Sequence, residues 1–410
     1  MDYIICHYAE IGLKGGNRRF FEEKLVENIK TALPPHQTGA RCQRHQRRSQ
    51  PLLWCGGEPR ASFEFVKRIS GRLLIKLTAE GAENKTEIET ALKTVFGIAN
   101  FSFAGDAPLT IEAIKKKAVE VLQGKRFKTF KIATQRSDKN FPLTSTEVNE
   151  KVGEFVLEKL KIKVDLEKPD ITLFIEIVEK CVFLYTEKMK GPGGLPMGTG
   201  GKAVALISGG IDSPVAAFLA MKRGVEIVFL HFHSYPYTNK ASVEKVQKLV
   251  RHLSWHQQSP KLYLAPFGDI QKEILLKTPA KLRVVLYRRM MIRIAQVLSE
   301  KEKALALVTG ESIGQVASQT LENMAVIEKA VSLPILRPLI GWDKEEIIKK
   351  AKEIGTFEIS SLPDQDCCSR FVPEHPETKA RLSEVLAVEK KLEVEKLVRE
   401  TQDKMEISVV

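Results

Sequence analysis

The chain of 410 residues is 43% hydrophobic and carries a formal charge of +13, from 64 Lys and Arg against 51 Asp and Glu. That length predicts two or three domains rather than one core, and the cationic excess suits a polyanionic partner. No apolar run is long enough to cross a bilayer, residues 1–6 show no signal-peptide pattern, and six cysteines are too few for a disulfide framework, so membrane and secreted classes are excluded and a cytoplasmic protein is expected.

Residues 1–82 predict a small α/β unit, with a strand over 3–8 and a helix over 20–30 where apolar residues recur at helical spacing. Between them lies a glycine-rich basic loop, residues 9–19. Residues 28–57 contain no acid and hold Lys30, Arg41, Arg44, Arg47 and Arg48, as either a solvated loop or a phosphate-contacting arm. Cys42, His45 and Cys55 match no common zinc spacing.

Residues 83–190 predict a second unit: a helix over 111–122, a strand over 127–134, a loop over 135–142, a helix over 145–160, and strands over 171–178 and 182–186. Lys125, Arg126, Lys128, Lys131, Arg136 and Lys139 interleave with Phe127, Phe130 and Phe141. Cations among aromatics suit RNA backbone and unpaired bases, and equally suit a phenylalanine core beneath a solvated cationic face. Residues 190–201, rich in Gly and Pro, form a linker.

Residues 195–410 alternate strand and helix, the pattern of a doubly wound parallel sheet. A short apolar strand ends at Leu206 and Ile207. Ser208-Gly209-Gly210-Ile211-Asp212-Ser213-Pro214 follows, then an apolar helix closed by Gly224. Such a loop presents backbone N–H groups and hydroxyls at a helix start, which is an anion site. It is neither a Walker loop nor a dinucleotide fingerprint. It resembles the PP-loop of ATP pyrophosphatases, which cleave ATP between the α and β phosphates. Further strands end at His231-Phe232-His233 and at Gly310-Glu311-Ser312, so candidate site residues gather at carboxyl ends of strands. Helices are expected over 242–253, from Asp269, across 286–293 and over 344–354, with a charged helical tail after Leu382.

Residues 127–142, 144–148 and 164–170 resemble a THUMP domain, an RNA-binding module of RNA-modifying enzymes. With residues 8–15, 310–321 and 366–368, the chain over nearly its whole length resembles the ThiI family of tRNA 4-thiouridine synthetases, in the form without a C-terminal rhodanese domain. The resemblance implies an N-terminal ferredoxin-like α+β domain (1–82), a THUMP-like α/β domain (83–190) and a PP-loop pyrophosphatase domain (195–410). It implies adenylation of O4 of uridine 8 in tRNA, with ATP and Mg2+, followed by sulfur delivery from a cysteine persulfide. By resemblance, Leu206, Ile207, Ser208, Gly209, Gly210, Asp212, Ser213, His231, Phe232, Arg288, Gly310 and Gln319 form the ATP site, with Asp212 also a magnesium candidate. The sulfur carrier is Cys368 or Cys367, beside Arg370, which favours a thiolate, and Asp364 and Asp366, which oppose it. Implied partners are tRNA, a cysteine desulfurase, a sulfur-carrier protein of thiazole (thiamine) synthesis and, as one assembly left open, a second copy in a homodimer.

Overall fold

The computed structural model describes residues 1–33, 35–36, 60–235, 240–363 and 373–408. They divide into two compact units, Met1–Pro196 and Met197–Val410. Among the described residues no helix is long and apolar enough to cross a membrane. Arg41, Cys42, Arg44, His45, Arg47, Arg48 and Cys55 lie outside the described residues.

The first unit runs β1 (Tyr3–His7), α1 (Arg18–Ala32), β2 (Phe63–Ile69), β3 (Arg72–Leu77), α2 (Lys85–Leu92), β4 (Asn100–Ala107), α3 (Ile111–Leu122), β5 (Thr129–Arg136), α4 (Ser145–Leu160), β6 (Ile171–Val178) and β7 (Cys181–Tyr185). The strands form one sheet in the order β2-β3-β1-β4-β7-β6-β5, extended by the short strand Lys163–Val164. β4 is shared by the two halves of this unit. Its first part pairs with β1, His7 opposite Asn100, and its last part with β7, Val182 opposite Ala107. Hydrophobic cores lie under each half. One gathers Ile4, Leu25, Ile29, Leu73 and Phe101; the other gathers Ile114, Phe130, Val148, Val152 and Leu173. Thr144 and Glu147 close a capping box at the start of α4, satisfying backbone donors that the first turn leaves open.

A buried carboxylate stitches this sheet together. Glu176 of β6 accepts from Tyr185 Oη at 2.5 Å, meets His7 Nε2 at 3.0 Å and pairs with the Arg72 guanidinium, which also donates to Ser137 Oγ at 3.0 Å. Burial alone would raise its pKa; His7, Arg72 and Tyr185 outweigh burial and hold it below the ordinary carboxylate range.

The second unit runs β8 (Lys202–Leu206), α5 (Asp212–Lys222), β9 (Glu226–His233), α6 (Ala241–Leu253), β10 (Lys261–Pro266), α7 (Gly268–Lys277), α8 (Arg283–Glu302), β11 (Ala306–Val308), α9 (Leu321–Glu328), β12 (Ile335–Leu336), α10 (Lys344–Glu353), α11 (Phe357–Ser360), α12 (Leu382–Glu389), α13 (Val394–Asp403) and β13 (Glu406–Ser408). The sheet order is β12-β11-β8-β9-β10-β13, parallel throughout except for β13, which runs antiparallel to β10. Central strands of such a sheet are covered on both faces, which explains the unbroken apolar runs of β8 and β9. The tail is therefore not helical alone: after α12 and α13 it returns to add an edge strand.

α8 is fixed by a second buried carboxylate. Arg289, 1% exposed, reaches Glu389 of α12 through Nε and Nη2 at 2.8 and 2.9 Å, and its Nη1 donates to the Val326 carbonyl of α9. Arg293 Nη1 adds a bond to Glu389 at 2.7 Å. Burial pushes the Glu389 pKa up, but the two guanidinium groups dominate and bring it from 4.5 down to about 2. Because the folded value lies below the unfolded one, this contribution to stability is present above about pH 4.5 and is lost as pH falls toward 2. Glu389→Gln should lower unfolding free energy at neutral pH by about 3 kcal/mol, leaving buried Arg289 and half-buried Arg293 uncompensated. It should also flatten the acid limb of the stability curve, as denaturant melts between pH 5 and 2 would report.

Candidate active site

The site forms where β8, β9 and β11 end on the same side of the parallel sheet. The loop after β8 folds back on its own hydroxyls. Ser208 N donates to Ser213 Oγ at 2.9 Å, the two hydroxyls lie 3.2 Å apart, and Gly210 N donates to Ser208 Oγ at 3.3 Å. His231, 3% exposed at the end of β9, bonds the Ile207 carbonyl through Nδ1 at 3.0 Å. A carbonyl only accepts, so Nδ1 carries the hydrogen and the imidazole fixes the residue that leads into the loop. Beyond β11, Gly310 lies against the first turn of α5. A Cβ there would fall 2.7 Å from Ser213 N and 2.9 Å from the Asp212 carbonyl carbon, backbone atoms that cannot swing aside.

Leu206, Ile207, Ser208, Gly210, Asp212, Ser213, His231, Phe232, Arg288, Gly310 and Gln319 line one cavity. Gly209 belongs to the same loop but not to the lining. Arg288 is thereby distinguished from its neighbour Arg289: the first faces the cavity and the second anchors the helix. Cys367, Cys368 and Arg370 lie outside the described residues.

Several residues of the site were not singled out from the sequence. Met291 and Thr309 complete the lining, with Glu311 of the Gly310-Glu311-Ser312 stretch. Glu311 Oε2 accepts from Thr309 Oγ1 at 3.0 Å and from Arg337 Nε at 2.8 Å. Gln319 Oε1 accepts from Ser312 N at 3.3 Å, so the loop after β11 is braced from within. Asp212 opens α5, where a helix start favours negative charge. Its two oxygens bind Lys344 Nζ at 2.6 Å and Gln315 Nε2 at 3.0 Å. Lys344 is the first residue of α10, inside the Asp343–Glu346 capping box. A cation at a helix start runs against the dipole, and that mismatch is the only signal the sequence offered for it.

In the first unit Arg126, Lys128 and Lys139 are exposed, while Lys125, Lys131 and Arg136 are half-buried. Lys125 Nζ lies 3.5 Å from Glu187, and Arg136 donates to the Phe141 and Leu143 carbonyls, holding the loop that follows β5. Phe130 and Phe141 are 0% and 5% exposed, so their rings fill the core instead of offering faces to bases. Lys30, at the end of α1, is exposed.

Known proteins match this chain along its length. Residues 198–394 match the family described as thiamine biosynthesis protein (ThiI), residues 109–187 the THUMP domain, and residues 3–50 the ThiI ferredoxin-like domain. A probable tRNA sulfurtransferase of Moorella thermoacetica is 44% identical over 408 residues, covering 99% of this chain and 97% of that one. The chain belongs to the ThiI family. Another relative, the probable tRNA sulfurtransferase of Thermus thermophilus, is 40% identical over 96% of this chain and 90% of its own length. Among solved structures, a 4-thiouridine synthetase in complex with RNA and with bound ATP is 36% identical, covers 100% of both chains and has a TM-score of 0.84. PH1313 from Pyrococcus horikoshii is 25% identical, covers 87% of this chain and 100% of its own, and has a TM-score of 0.61. The ThiI-family architecture of ferredoxin-like, THUMP and PP-loop parts is thus that of this chain.

Gly310→Ala should weaken ATP binding at least about tenfold, because the added methyl forces α5 and the β11 loop apart. Calorimetric titration with ATP checks this, and unchanged affinity would show that the close approach relaxes freely.

Proposed function

We propose that this ThiI-family enzyme, an ATP-dependent tRNA sulfurtransferase, converts uridine 8 of tRNA to 4-thiouridine. The immediate sulfur donor is a persulfide on Cys368 or Cys367, charged by a cysteine desulfurase. The observation that carries the reading is the cavity at the start of α5, which joins hydroxyl and N–H donors to an arginine and an apolar wall. Ser208, Ser213 and the N–H groups of Gly209 and Gly210 hold the leaving pyrophosphate. Arg288 balances phosphate charge, and Leu206, Ile207, Phe232 and Met291 take the adenine side.

The chemistry has two halves. O4 of the uracil attacks the α-phosphorus of ATP, pyrophosphate leaves, and the N3 proton passes to solvent. A poor leaving oxygen thereby becomes part of AMP. The terminal persulfide sulfur then attacks C4 and AMP departs, giving a C4–S–S–cysteine linkage. A second thiol, from the neighbouring cysteine or an external thiol, attacks the cysteine sulfur. It forms a disulfide and releases the thiocarbonyl, with N3 reprotonated; an external dithiol restores the thiols.

Mg2+ fits this site as an ion brought in with the triphosphate. Asp212 is the one carboxylate at the loop, and among the described residues no group of three acidic, histidine or cysteine side chains is placed to cage a metal. When bound, the ion would spread charge developing on the phosphates. Asp212→Asn should reduce tRNA-dependent pyrophosphate release about a hundredfold or more while thermal unfolding stays cooperative. Exposed Arg126, Lys128 and Lys139 supply phosphate contacts to tRNA, so affinity should fall steeply with salt.

The decisive experiment incubates a tRNA transcript with the protein, ATP, Mg2+, a cysteine desulfurase and cysteine, then maps the product by mass spectrometry. An oxygen-to-sulfur mass gain at uridine 8 is expected, and the double variant Cys367→Ser, Cys368→Ser should lose it. Undiminished product in that variant would sink the persulfide role. The thiamine description of the matching family favours a second use of the same thiol, delivery to a thiazole carrier protein. Growth of a thiazole auxotroph on the wild-type protein but not on the double variant tests it.

A further inference from the structure

Glu311 is the acidic group of the cavity to which the two-step chemistry gives no part. It follows Gly310, which abuts the first turn of α5 where the phosphates are held, and it lines the same cavity while only 5% exposed. Its two oxygens are treated unequally. Oε2 accepts from Thr309 Oγ1 at 3.0 Å and from Arg337 Nε at 2.8 Å, and Arg337 is itself pinned by Glu328 through Nη1 at 2.9 Å. Among the described residues no donor reaches Oε1. A buried carboxylate oxygen without a donor is costly to keep, and in a substrate cavity it is an open acceptor. The lining holds two other titratable acceptors. Asp212 has both oxygens bound, by Lys344 and Gln315. His231 stands at the end of β9, and in the sheet order β8 lies between β9 and β11, so β8 and its loop separate His231 from Glu311.

We infer that Glu311 is a catalytic residue of the activation half, the base that takes the N3 proton of the uracil as O4 is adenylated. This rests on the reading of the protein as the enzyme that makes 4-thiouridine in tRNA. The uracil carbonyl oxygen is a weak nucleophile while N3 keeps its hydrogen. As Glu311 Oε1 removes that proton, the N–H electron pair becomes an N3=C4 double bond and the C4=O π pair forms the bond from O4 to the α-phosphorus. The bond from that phosphorus to the pyrophosphate oxygen breaks. N3 is the ring neighbour of C4, on the edge by which an extruded base is read, so an acceptor beside the phosphate loop meets it when O4 faces the α-phosphorus. The proton then leaves Oε1 for solvent, which restores the carboxylate without a further reactant. A base within hydrogen-bond reach of the proton it takes supplies about a hundredfold to ten-thousandfold in rate.

Glu311→Gln keeps the shape of the side chain. Its amide oxygen still accepts from Thr309 and Arg337, while Nε2 puts a donor where the open acceptor was. With a tRNA transcript, ATP and Mg2+, tRNA-dependent pyrophosphate release should fall about a hundredfold or more. ATP affinity, read by calorimetry, should stay within about twofold of wild type, because the lost interaction is made to the uracil. The deciding arm uses a transcript with 5-fluorouridine at position 8. Fluorine withdraws electrons and makes the N3 hydrogen more acidic, so the base is needed less, and the deficit of Glu311→Gln against wild type should shrink at least about tenfold. A deficit equal on the two transcripts overturns the inference, since Glu311 would then act on the ion, the nucleotide or the loop instead of the proton. A misfolded variant also loses equally on both and counts against it. Release unchanged in Glu311→Gln, or a fall in ATP affinity that accounts for the whole loss, overturns it as well. Each of these leaves thiouridine formation by the wild-type protein intact. A wild-type protein that puts no sulfur at position 8 with a cysteine desulfurase and cysteine added instead overturns the functional reading, and the inference falls with it.

Discussion

The second unit depends on a contact between two stretches of backbone. The turn after β11 touches the first turn of α5 at a distance only glycine permits. This contact brings Thr309, Gly310 and Glu311 to the phosphate loop, so that three strand ends contribute to one cavity. It also leaves the N–H groups of α5 turned toward the same space, where a helix start attracts anions. The hydroxyl pair Ser208 and Ser213 then shapes the loop locally, and His231 holds its entrance. Each is a hydrogen bond made before any ligand arrives, so the loop is held in shape in advance of binding.

Much of this second unit was legible because its physics is repetitive. Parallel strands buried on both faces are continuous apolar runs, and helices between them keep their period. The phosphate loop is short and local, so its residues stand next to one another in the chain. The ligation of Asp212 is not local. Gln315 and Lys344 lie 103 and 132 residues away, and no spacing rule connects them to it. The three-residue strand β13 was invisible for a different reason: at a sheet edge it needs no apolar alternation, and its Ile407 is 59% exposed.

The first unit shows a subtler limit. Its halves looked separable near residue 82, yet β4 carries pairing from one to the other without a break. Strand pairing follows register, and register across distant segments is not written in composition. The phenylalanines between the cations were equally ambiguous, since a period of two does not say which face is inside. Phe130 and Phe141 turned inward. In both units a buried carboxylate joins segments far apart in sequence: Glu176 with Arg72 and His7, and Glu389 with Arg289 and Arg293. Each carboxylate is held ionised by its cations rather than by water, and each binds elements whose relative placement the apolar core alone would leave loose.

The small strand β13 bears on solubility. By pairing antiparallel with β10 it occupies what would otherwise be an open rim of backbone donors and acceptors, and Gln247 of α6 fastens it through Ser408 Oγ at 2.9 Å. A bare rim of that kind is a template for joining one molecule to the next, the usual beginning of sheet-mediated aggregation. β13 lies far along the chain from β10, so this pairing joins two distant segments of the second unit. A chain that lost its last three strand residues would expose that edge of β10 and should aggregate more readily than the whole chain.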